Sequence, residues 1–139
     1  MSDPFLAIYD DPYAVKRIKQ SVLLADVREG MHILDVGANK EQVHNYLPIC
    51  TYLAIDYKRY TPNTLVQNID GGIKSSFLFD RIFCLETLEH LKKPKSTLAS
   101  MIAVLKTDGI MVISLPNEAT LFHRLRSLCG VVDQECFSE

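Results

Sequence analysis

The sequence lacks an excess of charge of either sign. Its 139 residues include 15 Lys and Arg against 17 Asp and Glu, which gives a formal net charge of −2. A chain this balanced has no global electrostatic attraction for nucleic acid or for an anionic membrane surface. We therefore expect no nucleic-acid partner.

Long hydrophobic runs are also absent. The longest apolar stretches, such as Ile110–Leu115, are the length of a strand and fall far short of the ~20 residues that span a bilayer. The first residues, Met1–Pro4, include no basic segment of the kind that opens a signal peptide. We expect a cytoplasmic protein with no membrane span.

Cysteines are few, and none are paired in a Cys-x-x-Cys motif. The four are widely spaced, at Cys50, Cys84, Cys129 and Cys136. We interpret them as reduced thiols and exclude a disulfide scaffold.

What the sequence does contain is enough apolar material for one core, since 47% of its residues are hydrophobic. Its length is that of a typical single domain, so residues 1–139 are treated as one. Apolar runs that predict strands alternate with amphipathic segments that predict helices. Strands are predicted at 32–36, 51–56, 64–70, 79–85 and 110–115. Helices are predicted from a cap at Asp10 or Asp11 to a stop at Gly30, at 41–47 (short), at 94–106 and at 118–128. Such alternation is typical of an α/β protein with a mostly parallel sheet covered on both faces.

Acidic residues end four consecutive predicted strands, at Asp35, Asp56, Asp70 and Glu86. In open parallel sheets, ligands bind beyond the carboxyl ends of the strands. Carboxylates gathered there repel one another unless a ligand or a metal satisfies them. We therefore expect these four side chains to share one ligand pocket.

Asp56 has a more specific use at the tip of the second strand. It lies 21 residues after Asp35, close to the ~20-residue offset of the acid that binds the ribose hydroxyls in nucleotide-binding units. The loop Gly37–Gln42 keeps only the first glycine of a dinucleotide fingerprint, and Glu41 would face the phosphates. A nucleoside without phosphates, carrying a cationic or zwitterionic tail, fits this loop better. The loop thus disfavours a nicotinamide oxidoreductase.

Five segments resemble, in order and spacing, the motifs of class I S-adenosylmethionine-dependent methyltransferases. They are Ile33–Gly37, Tyr52–Asp56, Phe79–Leu91, Leu105–Gly109 and Ile113–Asn117. The third, with its FD-x-I…E-x-x-E-H-L pattern, is similar to the small-molecule and quinone-biosynthesis branch. The resemblance implies a Rossmann-like three-layer sandwich with about five strands in the order 3-2-1-4-5.

The resemblance also implies roles for the matching residues. S-adenosylmethionine would be the cofactor, its methionine part held by Asp35 and the following loop, and its ribose hydroxyls by Asp56. Tyr57 would stack against the adenine, and Asp70 with the adjoining backbone would meet the adenine edge. The implied cofactor-binding residues are Asp35, Gly37, Ala38, Asn39, Asp56, Tyr57, Asp70, Gly71, Cys84 and Leu85, the last two beneath the ligand.

The chain departs from the family pattern in two places. Asn39 and Glu41 stand where the family has its later glycines, and the chain ends at Glu139, too early for a sixth and a seventh strand. It is either a truncated piece or a minimal member. Without those strands, Ile110–Leu115 becomes an apolar sheet edge that templates pairing with another chain. We expect the helix at 118–128, a homodimer partner or another protein to cover it.

His90 is the candidate general base for an oxygen acceptor. The competing interpretation is that its ring packs beneath the turn Leu88–Leu91. Glu86, Glu89 and His90 have helical spacing and could hold a divalent cation with a further ligand such as His123. Solvated acids explain the same spacing more simply, so we predict no metal.

We therefore predict methyl transfer from S-adenosylmethionine to a small-molecule or lipid-like acceptor. The alternative is a catalytically silent S-adenosylmethionine-binding or scaffold domain that works with a partner chain.

Overall fold

A computed structural model describes residues 12–116 of the chain. The predicted cap at Asp10 or Asp11, the helix at 118–128 and the candidate ligand His123 lie outside the described residues. The five strands are β1 (His32–Val36), β2 (Thr51–Asp56), β3 (Leu65–Val66), β4 (Phe79–Leu85) and β5 (Leu105–Ser114), and the two α-helices are α1 (Pro12–Ala25) and α2 (Pro94–Ala103). Three short 3₁₀ helices span Gln42–Tyr46, Ile69–Gly71 and Leu88–His90.

The strands form one parallel sheet in the order β3-β2-β1-β4-β5. This confirms the predicted α/β class and strand order. In the central strands, alternate side chains enter two separate apolar clusters. Ile33 and Phe83 pack with Ile18 of α1 on one face of the sheet, and Leu34 and Ile82 pack with Met101 of α2 on the other. These are the three layers of the predicted sandwich.

The end of α1 is fixed to the sheet by a buried arginine. Arg81 of β4 is 7% exposed, and its guanidinium donates hydrogen bonds to the carbonyl oxygens of Ala25, Asp26 and Asp80. Asp26 has left-handed backbone geometry (φ 46°), which stops the helix there. The chain then returns through Gly30 to β1.

Four predicted elements have wrong bounds. The first helix, expected to stop at Gly30, ends at Ala25, and the fifth strand, expected to begin at Ile110, begins at Leu105. The third strand covers only Leu65–Val66, because the Asp70 amide binds the side chain of Asn68 and the Ile69 carbonyl accepts the Thr97 hydroxyl. Neither group is left for a sheet partner.

The helix predicted to reach Lys106 ends at Ala103, and β5 begins at Leu105, which pairs with Phe79 of β4. Ile102, near the end of α2, is 57% exposed. Among residues 12–116, no helix is long and apolar enough to cross a membrane.

Candidate functional site

A cleft of about 640 Å³ opens where β1, β2 and β4 end. Its walls come from the loops that follow those strands and from the segment after β3. The lining residues are Gly37, Asn39, Asp56, Tyr57, Tyr60, Asn68, Ile69, Asp70, Glu86, Thr87, His90 and Leu91.

Three of the four strand-end acids, Asp56, Asp70 and Glu86, line this cleft, and Asp35 does not. Asp35 is 2% exposed and accepts a 2.5 Å hydrogen bond from the Tyr52 hydroxyl. Burial, helped by the nearby carboxylates of Glu41 and Asp56, raises the pKa of Asp35 to about 7. The expectation that all four carboxylates share one pocket is therefore wrong for Asp35, whose side chain is used inside the protein.

The loop after β1 keeps a glycine-like backbone with only one glycine. Its φ angles are positive at Gly37 (71°), Asn39 (48°) and Glu41 (58°). Left-handed geometry is rare for residues with a side chain, although Asn tolerates it better than most. The two substituted positions thus preserve the turns that glycines would make. Ala38 is buried behind the loop and does not line the cleft.

Asp56 joins this loop to the tip of β2. Its Oδ2 accepts a 2.9 Å hydrogen bond from the Asn39 amide, and its Oδ1 has only a long 3.4 Å contact with the Lys58 amide. A carboxylate has about four acceptor positions, so Asp56 can accept further hydrogen bonds from a ligand. Tyr57 follows it directly and exposes 69% of its surface at the cleft.

Asp70 joins the cleft to the start of α2. Its Oδ1 accepts a 3.0 Å hydrogen bond from the Lys93 amide, and its own amide donates to Asn68 Oδ1. Gly71 is exposed beside it but outside the lining. The lining residue Ile69 adds an apolar surface next to these polar groups.

Glu86, Glu89 and His90 do not form the predicted helical face. Glu86 has a left-handed backbone (φ 49°), and the 3₁₀ turn begins only at Leu88. Glu86 binds the Ser114 hydroxyl at 2.8 Å, and it approaches the Arg17 guanidinium at 3.9 Å. Among residues 12–116, no group of three or more His, Cys, Asp or Glu side chains is placed to hold a metal ion. The metal alternative is therefore unsupported by these side chains.

Glu89, which does not line the cleft, lies beside the lining residue His90. The Glu89 side chain is 11% exposed, and neither carboxylate oxygen has a hydrogen-bond partner. Burial, together with the neighbouring Glu86, raises the pKa of Glu89. His90 Nε2 lies 3.9 Å from Glu89 Oε1, and its ring is exposed on the cleft side rather than packed under the turn.

Cys84 and Leu85, expected beneath the ligand, are not among the residues that line the cleft. Cys84 is fully buried as a free thiol, and burial raises its pKa to about 12. Leu85 is half-buried and packs in the α1-side cluster.

Sequence reasoning missed five lining residues: Tyr60, Asn68, Ile69, Thr87 and Leu91. They sit in loops and short turns, where no hydrophobic period marks a direction. Thr87 is the most informative of them. Its hydroxyl donates to the carbonyl oxygens of Leu85 and Val36, which fixes the β4 loop against the β1 loop.

The described fold is shared with solved methyltransferases. The N-methyltransferase NodS from Bradyrhizobium japonicum, solved with S-adenosyl-L-homocysteine, superposes with a TM-score of 0.65 at 19% identity, over 75% of this chain and 62% of that one. An S-adenosylmethionine-dependent methyltransferase from Clostridium acetobutylicum gives 0.67 at 16% identity, over 87% and 60% of the two chains. Identities this low establish the fold alone.

A curated relative is similar over a shorter stretch. The ubiquinone biosynthesis O-methyltransferase of Actinobacillus pleuropneumoniae is 40% identical over 65 residues, which is 47% of this chain and 27% of that protein. The chain thus aligns with about a quarter of the length of the curated relatives it matches. The family model described as a methyltransferase domain matches residues 9–133. With most of its length matched and the five-stranded order in place, the chain belongs to the class I methyltransferase-domain family.

Proposed function

We propose that the chain binds S-adenosylmethionine in the cleft and transfers its methyl group to a small-molecule or lipid-like acceptor. The observation that carries this proposal is Asp56, which ends β2 with acceptor capacity to spare and with an exposed tyrosine beside it. S-adenosylmethionine would supply an electrophilic methyl group on a positively charged sulfur.

The residues of the cleft fit such a ligand. Asp56 would accept both ribose hydroxyls, and Tyr57 would cover one face of the adenine. Asp70, with the backbone at Gly71, would meet the adenine edge, against the apolar wall of Ile69. The loop Gly37–Asn39 would approach the methionine part through its backbone. The residues that line the cleft include three carboxylates, Asp56, Asp70 and Glu86, and no Lys or Arg, which favours a cationic ligand.

We propose His90 as the proton acceptor for a hydroxyl acceptor group. Its imidazole faces the cleft, and the Glu89 carboxylate at 3.9 Å would stabilise the charged ring once it has taken the proton. This assignment is compatible with the similarity to a ubiquinone biosynthesis O-methyltransferase, a protein named for transfer to oxygen. The glycine-like angles at Asn39 and Glu41 weaken one argument for the silent-domain alternative, the loss of the later glycines.

We also propose that the protein works in the cytoplasm and pairs through β5 with a second copy or another chain. In the described part of the molecule β5 is an outer strand, and Ile110, Ile113 and Leu115 are 36%, 37% and 57% exposed. Light scattering of the full chain tests the pairing with a second copy, since a monomer at all concentrations would contradict that form of it.

Calorimetry with S-adenosylmethionine, S-adenosylhomocysteine and NAD tests the function. We expect both adenosyl ligands to bind and NAD not to bind. Transfer of a radiolabelled methyl group to phenolic or lipid-like hydroxyl compounds then separates an enzyme from a binding module. Absence of binding by either adenosyl ligand would overturn the proposal.

A further inference from the structure

Glu41 is a buried acid behind the cleft that no role above has used. It is 8% exposed, is absent from the cleft lining and sits in the β1 loop with a left-handed backbone. Glycine would adopt that backbone with less strain. The glutamate therefore offers no backbone advantage over glycine here, and any benefit must come from its side chain.

That side chain reaches across to the segment between β2 and β3. Glu41 Oε1 accepts hydrogen bonds from the hydroxyls of both Thr61 and Thr64, the latter at 3.0 Å. Thr64 is 2% exposed, so the contact with it is dry. Hydrogen bonds to a carboxylate are roughly twice as strong as those between neutral groups. The two threonines thus hold the segment firmly against the loop.

The same segment carries the tyrosines of the cleft. Tyr57 and Tyr60 both line it, their hydroxyls lie 3.2 Å apart, and their rings meet edge to face at 6.4 Å between centroids. Thr61 follows Tyr60 directly in the chain. Anchoring Thr61 therefore restricts the positions that the Tyr57 and Tyr60 rings can adopt.

Two carboxylates consequently link the loop and the segment in opposite directions. Asp56, at the start of the segment, binds the Asn39 amide of the loop. Glu41, from the loop, binds Thr61 and Thr64 at the far end of the segment. The segment is held at both ends, with the tyrosines between the two anchors.

We infer that Glu41 is a positioning residue for the nucleoside: it holds the Tyr57–Tyr60 wall in place through Thr61 and Thr64, without touching the ligand. This inference rests on the proposed function, because it takes the tyrosine wall as the adenine side of the cleft. On this account, the chain has Glu41 where the family has a glycine because the glutamate side chain increases the affinity for the ligand.

The test is the variant Glu41→Gly, which removes the side chain and also relieves the backbone. We expect a thermal midpoint close to that of the native protein. Binding of S-adenosylhomocysteine and of adenosine should both weaken roughly tenfold, the size expected for a lost charge-assisted contact. If the protein is active, KM for S-adenosylmethionine should rise and kcat should stay unchanged. This is the pattern expected when the ground state and the transition state lose the same binding energy.

Four further variants separate positioning from folding. The double variant Thr61→Val/Thr64→Val should reproduce the loss, and combining it with Glu41→Gly should add nothing further. Glu41→Gln keeps an acceptor oxygen and should recover part of the affinity. Asn45→Ala, an exposed change in the adjoining 3₁₀ helix, should bind as the native protein does.

The outcomes distinguish this inference from the proposed function. If the native protein binds and Glu41→Gly binds as tightly or more tightly, the inference is wrong and the function stands. If Glu41→Gly does not fold, the threonine double variant decides in the same way. If the native protein binds no adenosyl ligand, both fall together.

Discussion

Gly37 and Thr87 approach so closely that no other residue fits at position 37. A Cβ added to Gly37 would lie 2.2 Å from Thr87 Oγ1 and 2.5 Å from its Cγ2. Thr87 cannot easily retreat, because it is buried and its hydroxyl binds the carbonyl oxygens of Leu85 and Val36. The single glycine kept in this loop is thus required by a contact inside the protein.

The variant Gly37→Ala should be strongly destabilised, by about 2–5 kcal/mol, from overpacking against Thr87 together with a left-handed φ of 71°. Urea unfolding measures it. The second-site change Thr87→Ala removes the two nearest atoms and should recover part of the loss. No recovery would mean that the backbone angle alone sets the cost.

Stability should depend on pH through Asp35. Its pKa of about 7 in the folded protein lies above its usual 3.8, so the folded state holds this proton more tightly than the unfolded chain does. The protonated Asp35 contributes up to about 4 kcal/mol to the free energy of unfolding. This contribution is complete below about pH 4 and is lost as the pH rises to about 7.

Asp35→Asn isolates this contribution, because the amide oxygen can still accept the Tyr52 hydrogen bond while the titration is gone. As the pH rises from about 4 to about 7, the native protein should lose free energy of unfolding relative to this variant. A difference that stays constant with pH would contradict the assignment.

Arg81 should be a major structural residue outside the cleft. Arg81→Met removes the donor to three carbonyl oxygens at the end of α1 and in β4 and should cost about 2–4 kcal/mol, because buried acceptors are left unpaired. The matched control is Arg28→Ala, which breaks an exposed ion pair with Asp26 and should leave the urea midpoint unchanged. Equal effects of the two changes would refute this role.

His90 should affect turnover and not cofactor binding. With an active acceptor in hand, His90→Gln should lower kcat by about 10²–10⁴-fold, the usual range for a general base. Glu89→Gln should lower it less, because it removes only the charge beside the ring. Affinity for S-adenosylhomocysteine should stay at the native value in both. A His90→Gln protein with native kcat would remove the base assignment.

The sequence predicts the centre of the sheet better than its margins. The bounds of β1, β2 and β4 are as predicted, because these strands carry runs of apolar side chains that are buried on both faces of the sheet. The predicted third strand is too long because the Thr97 hydroxyl takes up the Ile69 carbonyl. The predicted helix at 94–106 is too long because Leu105 pairs with Phe79 in the sheet. Those partners have no local signal.

The same limit applies to the site. Gly37, Asp56, Tyr57 and Asp70 line the cleft, and their roles toward a ligand stay predictions. Asp35 also follows a strand pattern, but Ile33 pairs with Tyr52 in the parallel ladder, and this brings the tyrosine to the face on which Asp35 lies. The Tyr52 hydroxyl then binds the Asp35 carboxylate, which only the three-dimensional pairing reveals.

Calorimetric titration of S-adenosylhomocysteine into three proteins tests the central claim most directly. The native chain should bind, and Asp56→Ala should bind about 10–100-fold more weakly, as expected for lost charge-assisted hydrogen bonds. Asp80→Asn, which removes a carboxylate bonded to His32 and Lys106 at the start of β4, should bind as the native chain does. No binding by the native chain, or equal affinity in Asp56→Ala, would contradict the account.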